Sequence, residues 1–456
     1  MSQAARSTSA RRLGLQGFLD RVEPKLLAQL VPTGRLRALS QASAGLREAC
    51  RRAEITVLLH NRLLLEPHVF LANLRRAGAR YTVTGAYLKD VWTLDGARSE
   101  SLAAFVRESA TLRTLRLHDN ELGEAGMRVL ADALRSNPAL TRLEIFNCQC
   151  RDGGARALAE CLRVNTVLRT LQLPYAGIKE AGALALAEAL RANSTLQTLG
   201  LGANELRDAG ATHVAACLRS NHTLAELDLS ATGTGGPGTT ELAQALRANS
   251  TLRLLRLAQN KSGGDGIGAL AEALPGHAAL RSLDLAENAF GDNGVHALAQ
   301  ALSANAALRE LDLSTRVLGE LGWRALAAAL RVNTALRELK LRGTRLDDDG
   351  GQALAGALRV NTALHKLDLF RNALREDAGR AFAEALRVNS TLQTLSLGDN
   401  PLRAGAGAFL APARENTVLR ELDLLDTAPV GVARALEAAL REVRPAGSAL
   451  RVRAAR

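Results

Sequence analysis

The chain has 456 residues, 47% of them hydrophobic and 3% aromatic, with a formal net charge of +12. No apolar run approaches the roughly 18 residues of a membrane span, and five cysteines without a C-x-x-C pair argue against both a disulfide framework and a metal site. The first 80 residues hold 14 Lys/Arg against 5 Asp/Glu, which is +9 of the total and leaves +3 for the rest; with no aromatic interleaving, a nucleic-acid surface is not expected.

Residues 1–14 open with MSQAARSTSARR, which contains no acid. That composition fits a disordered basic tail, and it also fits an organelle transit peptide. Over 15–64, Phe18, Val22, Leu26, Leu27, Leu30, Leu36, Leu39 and Leu46 recur at helical spacing, interrupted by Pro24 and by Pro32-Thr33-Gly34, so two or three short helices are predicted. The segment resembles an F-box, the helical module that joins a substrate receptor to a cullin-type ubiquitin ligase. The resemblance rests on Pro24, Leu26, Leu27 and Leu30, then Leu36 and Leu39, then Ser43, Leu46 and Arg47. It implies adaptor binding through Pro24, Leu26, Leu27, Leu30, Leu36, Leu39 and Leu46, with a Skp-type adaptor as partner. The gap from Pro24 to Leu36 is about one helical turn shorter than usual, and Leu46 stands where tryptophan is common. A helical cap for the array that follows is the alternative reading.

Residues 65–111 read as a linker and capping repeat, with a helix expected over Glu66 to Arg80. In the capping repeat, Leu102 and Val106 fall on repeat positions, while TGAYLKDVW lacks the leucines. From Leu112 the pattern L-x-x-L-x-L restarts every 28 residues, at Leu140, Leu168, Leu196, Leu224, Leu252, Leu280, Leu308, Leu336, Leu364 and Leu392, then after 27 at Leu419. Eleven repeats fill 112–418, and 419–456 form a C-terminal capping repeat and tail. There a helix is expected over Val432 to Val443, a strand over Ser448 to Val452, and a frayed RVRAAR end. Such self-similarity means a stacked solenoid, since one unit cannot cover its own apolar face.

Within a unit, Leu283 and Leu285 stand two apart in a predicted strand, both inward, with Ser282, Asp284 and Ala286 outward. Leu298 and Leu302 define a helical face with Ala299 beside them, and that alanine recurs in every repeat from Ala131 to Ala411. A glycine at one offset precedes the helix, as at Gly126, Gly294 and Gly350. Asparagine closes the helix, as at Asn137, Asn305 and Asn389, where a left-handed stop is expected. Arginines near helix ends, such as Arg163 and Arg191, are expected to pair with Glu160 and Glu188 three residues earlier.

This pattern, with N/C after the strand and G-x-x-x-L-A-x-A-L in the helix, resembles the leucine-rich repeat of the ribonuclease-inhibitor type. The resemblance implies an α/β horseshoe with parallel strands on the concave face, helices on the convex face, and the small helical N-terminal module ahead of it. It also implies an asparagine ladder, Asn120, Asn204, Asn260, Asn288, Asn372 and Asn400, interrupted by Cys148, Ala176, Thr232, Arg316 and Thr344. Looseness is expected at Ala176 and Arg316.

Gly233 to Gly238, GTGGPG, matches a dinucleotide motif, but Gly238 falls on the repeat glycine and no acid lies about 20 residues on to hold a ribose. No catalytic, cofactor or metal residue stands out, and buried thiols in a reducing compartment are expected. The outward strand positions remain as a protein-binding face in three zones. The first holds Arg116, His118, Phe146 and Tyr175; the second, acidic, holds Glu226, Asp228, Asp284, Glu310, Asp312 and Glu338. Lys340, Arg342, Lys366, Phe370 and Arg371 form the third. The expected function is a non-enzymatic, monomeric, cytoplasmic or nuclear receptor: an F-box-type substrate adaptor, or a stand-alone scaffold or inhibitor, with small-GTPase activation a third class.

Overall fold

The structure, a computed structural model, describes residues 55–60, 83–89, 96–315, 317–427 and 451–454, with isolated helical positions between Gly431 and Ala438. The basic tail, the F-box-like residues from Pro24 to Leu46, the expected helix over Glu66 to Arg80, most of the expected helix over Val432 to Val443, Cys50 and Arg316 lie outside the described residues. The chain divides into two units, Met1–Gly177 and Ile178–Arg456.

In the first unit, strands β1 (Ile55–His60), β2 (Val83–Lys89), β3 (Thr114–His118), β4 (Arg142–Phe146) and β5 (Thr170–Gln172) pair in parallel in chain order. Helices Gly96–Glu108, Gly123–Ser136 and Arg151–Leu162 alternate with the last four. Leu102 and Val106 are buried in the first of these helices. Strand β1 lies inside the stretch assigned from sequence to the helical module, so the parallel sheet begins before residue 64.

In the second unit, β6 (Thr198–Gly200), β7 (Glu226–Asp228), β8 (Leu254–Arg256), β9 (Ser282–Asp284), β10 (Glu310–Asp312), β11 (Glu338–Lys340), β12 (Lys366–Asp368), β13 (Thr394–Ser396), β14 (Glu421–Leu424) and β15 (Arg451–Ala454) likewise pair in parallel in chain order. Of the terminal segment expected to fray, Arg451–Ala454 form strand β15 and the last two residues lie outside the described ones. Most strands are only three residues long, one inward leucine flanked by two outward side chains, as in Ser282-Leu283-Asp284. Leu285 is fully buried just beyond its strand. Each unit is an α/β leucine-rich repeat solenoid, its core made of stacked leucines from strands and helices.

Helix packing explains the small residues. Ala131, Ala187 and Ala299 are buried on the helix face. The repeat glycines do not precede the helix but stand in its first turns, where an added methyl would collide with the helix before: at Gly154 it would meet the Met127 Cβ at 3.0 Å, and at Gly238 the Ala211 Cβ at 3.0 Å. The 27-residue step has a local cause. Between β13 and β14 a 3₁₀ turn, Arg403–Phe409, runs into a short helix, Leu410–Glu415. With its larger rise per residue, the 3₁₀ turn covers the distance with fewer residues. Gly405, Ala406, Phe409, Pro412 and Ala413 are buried there, while Ala411 is half-buried.

The asparagine at the helix end works differently from expectation. Asn333 has φ −73° and ψ 126°, an extended rather than left-handed conformation. Its Oδ1 accepts the N–H groups of Ala335 and Leu336 at 2.9 and 2.7 Å, turning the chain into the next strand. Its Nδ2 donates to the Leu302 and Asn305 carbonyls of the preceding repeat at 2.6 and 3.1 Å. The same two-sided bonding recurs at Asn137, Asn165, Asn221, Asn249, Asn305, Asn361, Asn389 and Asn416. All are buried.

At the equivalent position in one repeat stands His277. Its Nδ1 accepts the Leu280 N–H at 3.0 Å, but its Nε2 is buried with no hydrogen-bond partner. With Nδ1 accepting, the neutral ring carries its proton on that orphaned Nε2. Burial lowers the His277 pKa from its ordinary 6.5, and Arg281 adds to the depression. Stability from the neutral ring is thus complete above the unfolded pKa and declines as pH falls through it toward the folded value. His277→Asn should raise the thermal unfolding midpoint, by about 1 kcal/mol in stability terms, and flatten the loss of stability below about pH 6.5; melting curves of both proteins across that range check this. Asn333→Ala should cost at least about 2 kcal/mol by orphaning buried backbone groups, measured by urea unfolding.

Candidate partner-binding face

The outward side of the first unit's strands carries a continuous row of rings. Parallel register sets Tyr87 opposite Arg116 and Arg116 opposite Glu144, with His118 opposite Phe146 one step along. The Tyr87 and His118 rings meet edge-on with centroids 4.8 Å apart, His118 and Phe146 lie at 5.4 Å, and Phe146 and Tyr175 at 5.2 Å. The Tyr87 hydroxyl lies 3.3 Å from His118 Nδ1. Tyr175 is not on a strand: it sits in the turn after β5 at φ 53°, with 56% of its surface exposed. Beside the rings, Glu144 is shared by two cations, Arg116 Nε at 2.9 Å and Arg142 Nε. One carboxylate between two half-exposed guanidinium groups leaves positive charge beside the aromatic row.

All four residues expected in this zone, Arg116, His118, Phe146 and Tyr175, are brought together. Sequence reasoning misses Tyr87, Arg142 and Glu144. The period of 28 is the available signal for Glu144, since it maps Arg116 onto it; Tyr87 lies in the degenerate strand where the leucines fail.

The acidic zone of the second unit does a different job. Asp228, Asp284 and Asp312 each accept the backbone N–H two residues on, at 2.9, 3.1 and 3.0 Å, as do Asp368 and Asp423. These carboxylates end the strands as Asx turns. Burial raises the Asp284 pKa; the Ala286 N–H opposes the rise and Asp312 adds to it. Glu338 pairs with Lys340 at 3.5 Å and Lys366 at 3.0 Å, and Lys340 lies 3.7 Å from Asp312. Burial alone would depress the Lys340 ammonium, but Asp312 and Glu338 outweigh it and the net shift is upward. Glu226 accepts a hydrogen bond from Thr198 at 3.2 Å, and Glu310 is exposed between its neighbours in β9 and β11. The acidic and basic zones expected from sequence thus meet in one ion-pair cluster, Asp312, Glu338, Lys340 and Lys366. The Arg342 guanidinium lies 4.2 Å from the Phe370 ring centroid, and Arg371 Nε lies 3.8 Å from Asp399. Phe370 and Arg371 belong to the turn after β12, with Arg371 at φ 57°.

Other sequence leads resolve into structure. Gly235 and Gly238 donate their N–H groups to Asp208 Oδ1 at 2.7 and 3.0 Å, so a carboxylate of the preceding repeat fills the place a phosphate would take. Asp292 and Asp348 do the same for Gly319 and Arg375. Cys148 Sγ bonds the Leu117 and Phe146 carbonyls, and the Thr232 and Thr344 hydroxyls bond Leu229 and Leu341, so these ladder substitutes keep a donor in place. Ala176 is fully buried, and its carbonyl accepts the Arg151 N–H at 2.8 Å, against the looseness expected there. Glu160 reaches back across the repeat boundary to Arg135 at 3.0 Å. No group of His, Cys, Asp or Glu among the described residues has the arrangement of a metal site, and no described helix is long and apolar enough to cross a membrane.

Burial pushes the thiols of Cys148, Cys161 and Cys217 up to about 12 and raises that of Cys150 as well. In a Cys50→Ser variant, no thiol should react rapidly with a disulfide reagent near about pH 8, and all four should react after unfolding; absorbance of the released thiol reports this.

A family model described as "Leucine Rich repeat" matches residues 108–131, 278–299 and 332–355. A comparison with curated proteins finds no match. Among solved structures, the chain is similar to the complex of Rad7 and Elc1 in yeast (17% identity, 85% of this chain and 91% of that one, TM-score 0.43). It is also similar to Leiomodin-1 Actin-Binding Site 2 (22%, 32% and 86%, TM-score 0.29) and to the Caenorhabditis elegans tropomodulin C-terminal domain (14%, 32% and 91%, TM-score 0.29). At these scores and identities the likenesses do not bear on function. The chain carries leucine-rich repeats, and they build an α/β solenoid.

Proposed function

We propose that the chain is a non-enzymatic receptor that holds a protein partner on its outward strand face. The observation that carries this reading is the row Tyr87, His118, Phe146 and Tyr175 beside Arg116 and Arg142. Aromatic and arginine side chains are the residue types that dominate binding energy at protein interfaces, and here paired strands, with the turn after β5 for Tyr175, fix them in place. Aspartates that would otherwise compete as anchors are engaged by their own turns. Phe146→Ala and Tyr175→Ala should each weaken the partner about tenfold while leaving the melting midpoint within about 2 °C; calorimetric titration and thermal melts measure the two effects.

In the finer reading, the chain is an F-box-type substrate adaptor of a cullin-based ubiquitin ligase. Its N-terminal residues then bind a Skp-type adaptor, and the strand face takes the target. The spacing of Pro24, Leu26, Leu27, Leu30, Leu36, Leu39 and Leu46 supports this. Strand β1 favours the second reading, a stand-alone scaffold or inhibitor of the ribonuclease-inhibitor type, because it gives part of that N-terminal stretch to the solenoid. A chain lacking residues 15–50 keeps β1 and separates the two. Loss of Skp-type adaptor binding in pull-down supports the ligase reading; retained binding, or none by the intact chain, leaves the scaffold.

A further inference from the structure

Three consecutive repeats of the second unit carry the same exposed side chain at or just past the helix end. Val332 closes the helix Glu320–Val332, Val388 closes Glu376–Val388, and Val360 lies two residues beyond Asp348–Leu358. Their surfaces are 61%, 57% and 52% exposed. The same offset elsewhere in the unit holds Ala192, Ser220, Ala248, Gly276 and Ala304, so the fold does not require a branched apolar group there. Val164 of the first unit shares the offset, but the preceding repeat carries Ser136.

Each of the three valines follows an exposed arginine, Arg331, Arg359 or Arg387. Arg387 reaches Glu384 and Glu415 at 3.8 and 3.5 Å. Arg331 and Arg359 form no ion pair among the described residues. One residue further on, the buried Asn333, Asn361 and Asn389 tie each corner to the preceding repeat, so the valines are held on a fixed edge. The result is an apolar row with two uncompensated cations alongside.

Spacing indicates what fits it. Helices packed side by side stand about 8–10 Å apart, which sets the pitch of the valines. Residues seven apart on one face of an α-helix are separated by about 10.5 Å. We propose that this ridge docks an acidic amphipathic helix of a protein partner, with every seventh residue apolar against Val332, Val360 and Val388 and carboxylates facing Arg331 and Arg359. An anionic membrane is the weaker match, because interfacial segments use Trp, Phe and Leu to reach the acyl boundary and the ridge has only short valines. The site is independent of the outward strand face.

The test uses the full chain and a fluorescent helical peptide of about 21 residues, with Leu at three positions spaced by seven and Glu beside each. Anisotropy should show saturable binding. The triple change Val332→Ser, Val360→Ser and Val388→Ser should weaken it about tenfold or more, and Arg331→Ser with Arg359→Ser should weaken it too. Ser220 already occupies this offset, so circular dichroism and the melting midpoint should be unchanged. Replacing each Glu of the peptide by Lys should abolish binding. Absent binding, equal affinity of the triple variant, equal binding of a peptide with scrambled leucine spacing, or valine-dependent binding to phosphatidylserine vesicles in place of the peptide would each overturn the proposal.

Discussion

A primary amide offers two donors and a carbonyl acceptor on one rigid plane, and the asparagines that close the repeat helices use them in opposite directions. Toward its own repeat, Asn333 accepts two N–H groups and bends the chain into strand β11; toward the preceding repeat, it donates to two carbonyls left open at a helix end. The C-terminus of every helix has orphan carbonyls, and burying them without partners costs about 1–3 kcal/mol apiece. The amide meets the need of one repeat and sets the direction of the next. Leucine burial supplies most of the favourable free energy, but it is not directional. The amide is what makes the repeat length matter.

Bonding across the repeat boundary also governs the helix N-termini and the helix ends. Asp208 holds the first turn of the next helix through Gly235 and Gly238, and Arg135 finds Glu160 on the following helix. Many charged residues that look available on paper are therefore occupied by the solenoid. What is left over is selective: rings and guanidinium groups on the first unit's strands, the Arg342 and Phe370 pair on the second, and a helix edge where arginine and valine coincide. Binding chemistry on such a scaffold resides in the positions that repetition does not use.

Period, inward leucines, alanine stripe and glycine offset are all readable from sequence, because each depends on spacing within one unit. The errors at the asparagines, the glycines and Glu160 originate in contacts whose partner lies 25 to 31 residues away. Asn333 reads as a left-handed stop because its donor half points to another repeat. The glycines read as preceding the helix, since only packing against the preceding helix reveals why a methyl is excluded. Strand length is overestimated because Leu283 and Leu285 share a face, although the ladder closes at Asp284; Tyr175, Phe370 and Arg371 consequently move from strands into turns. Asp228, Asp284 and Asp312 group together by charge, but their distance to the N–H two residues on is the better guide to what they do.

In a linear array each repeat touches only its neighbours, so stability is approximately a sum of each repeat's own contribution and its nearest-neighbour couplings. Among the described residues of the second unit, that coupling is reduced at one corner, His277, whose side chain keeps a single bond to the backbone and leaves a ring nitrogen orphaned. Such a corner ties its two neighbouring repeats less firmly than the asparagine corners on either side. Fraying that starts at the C-terminal end has a natural place to stop there. Strand pairing and leucine burial continue through this corner, so what the histidine changes is how firmly neighbouring repeats are tied, not whether they stack.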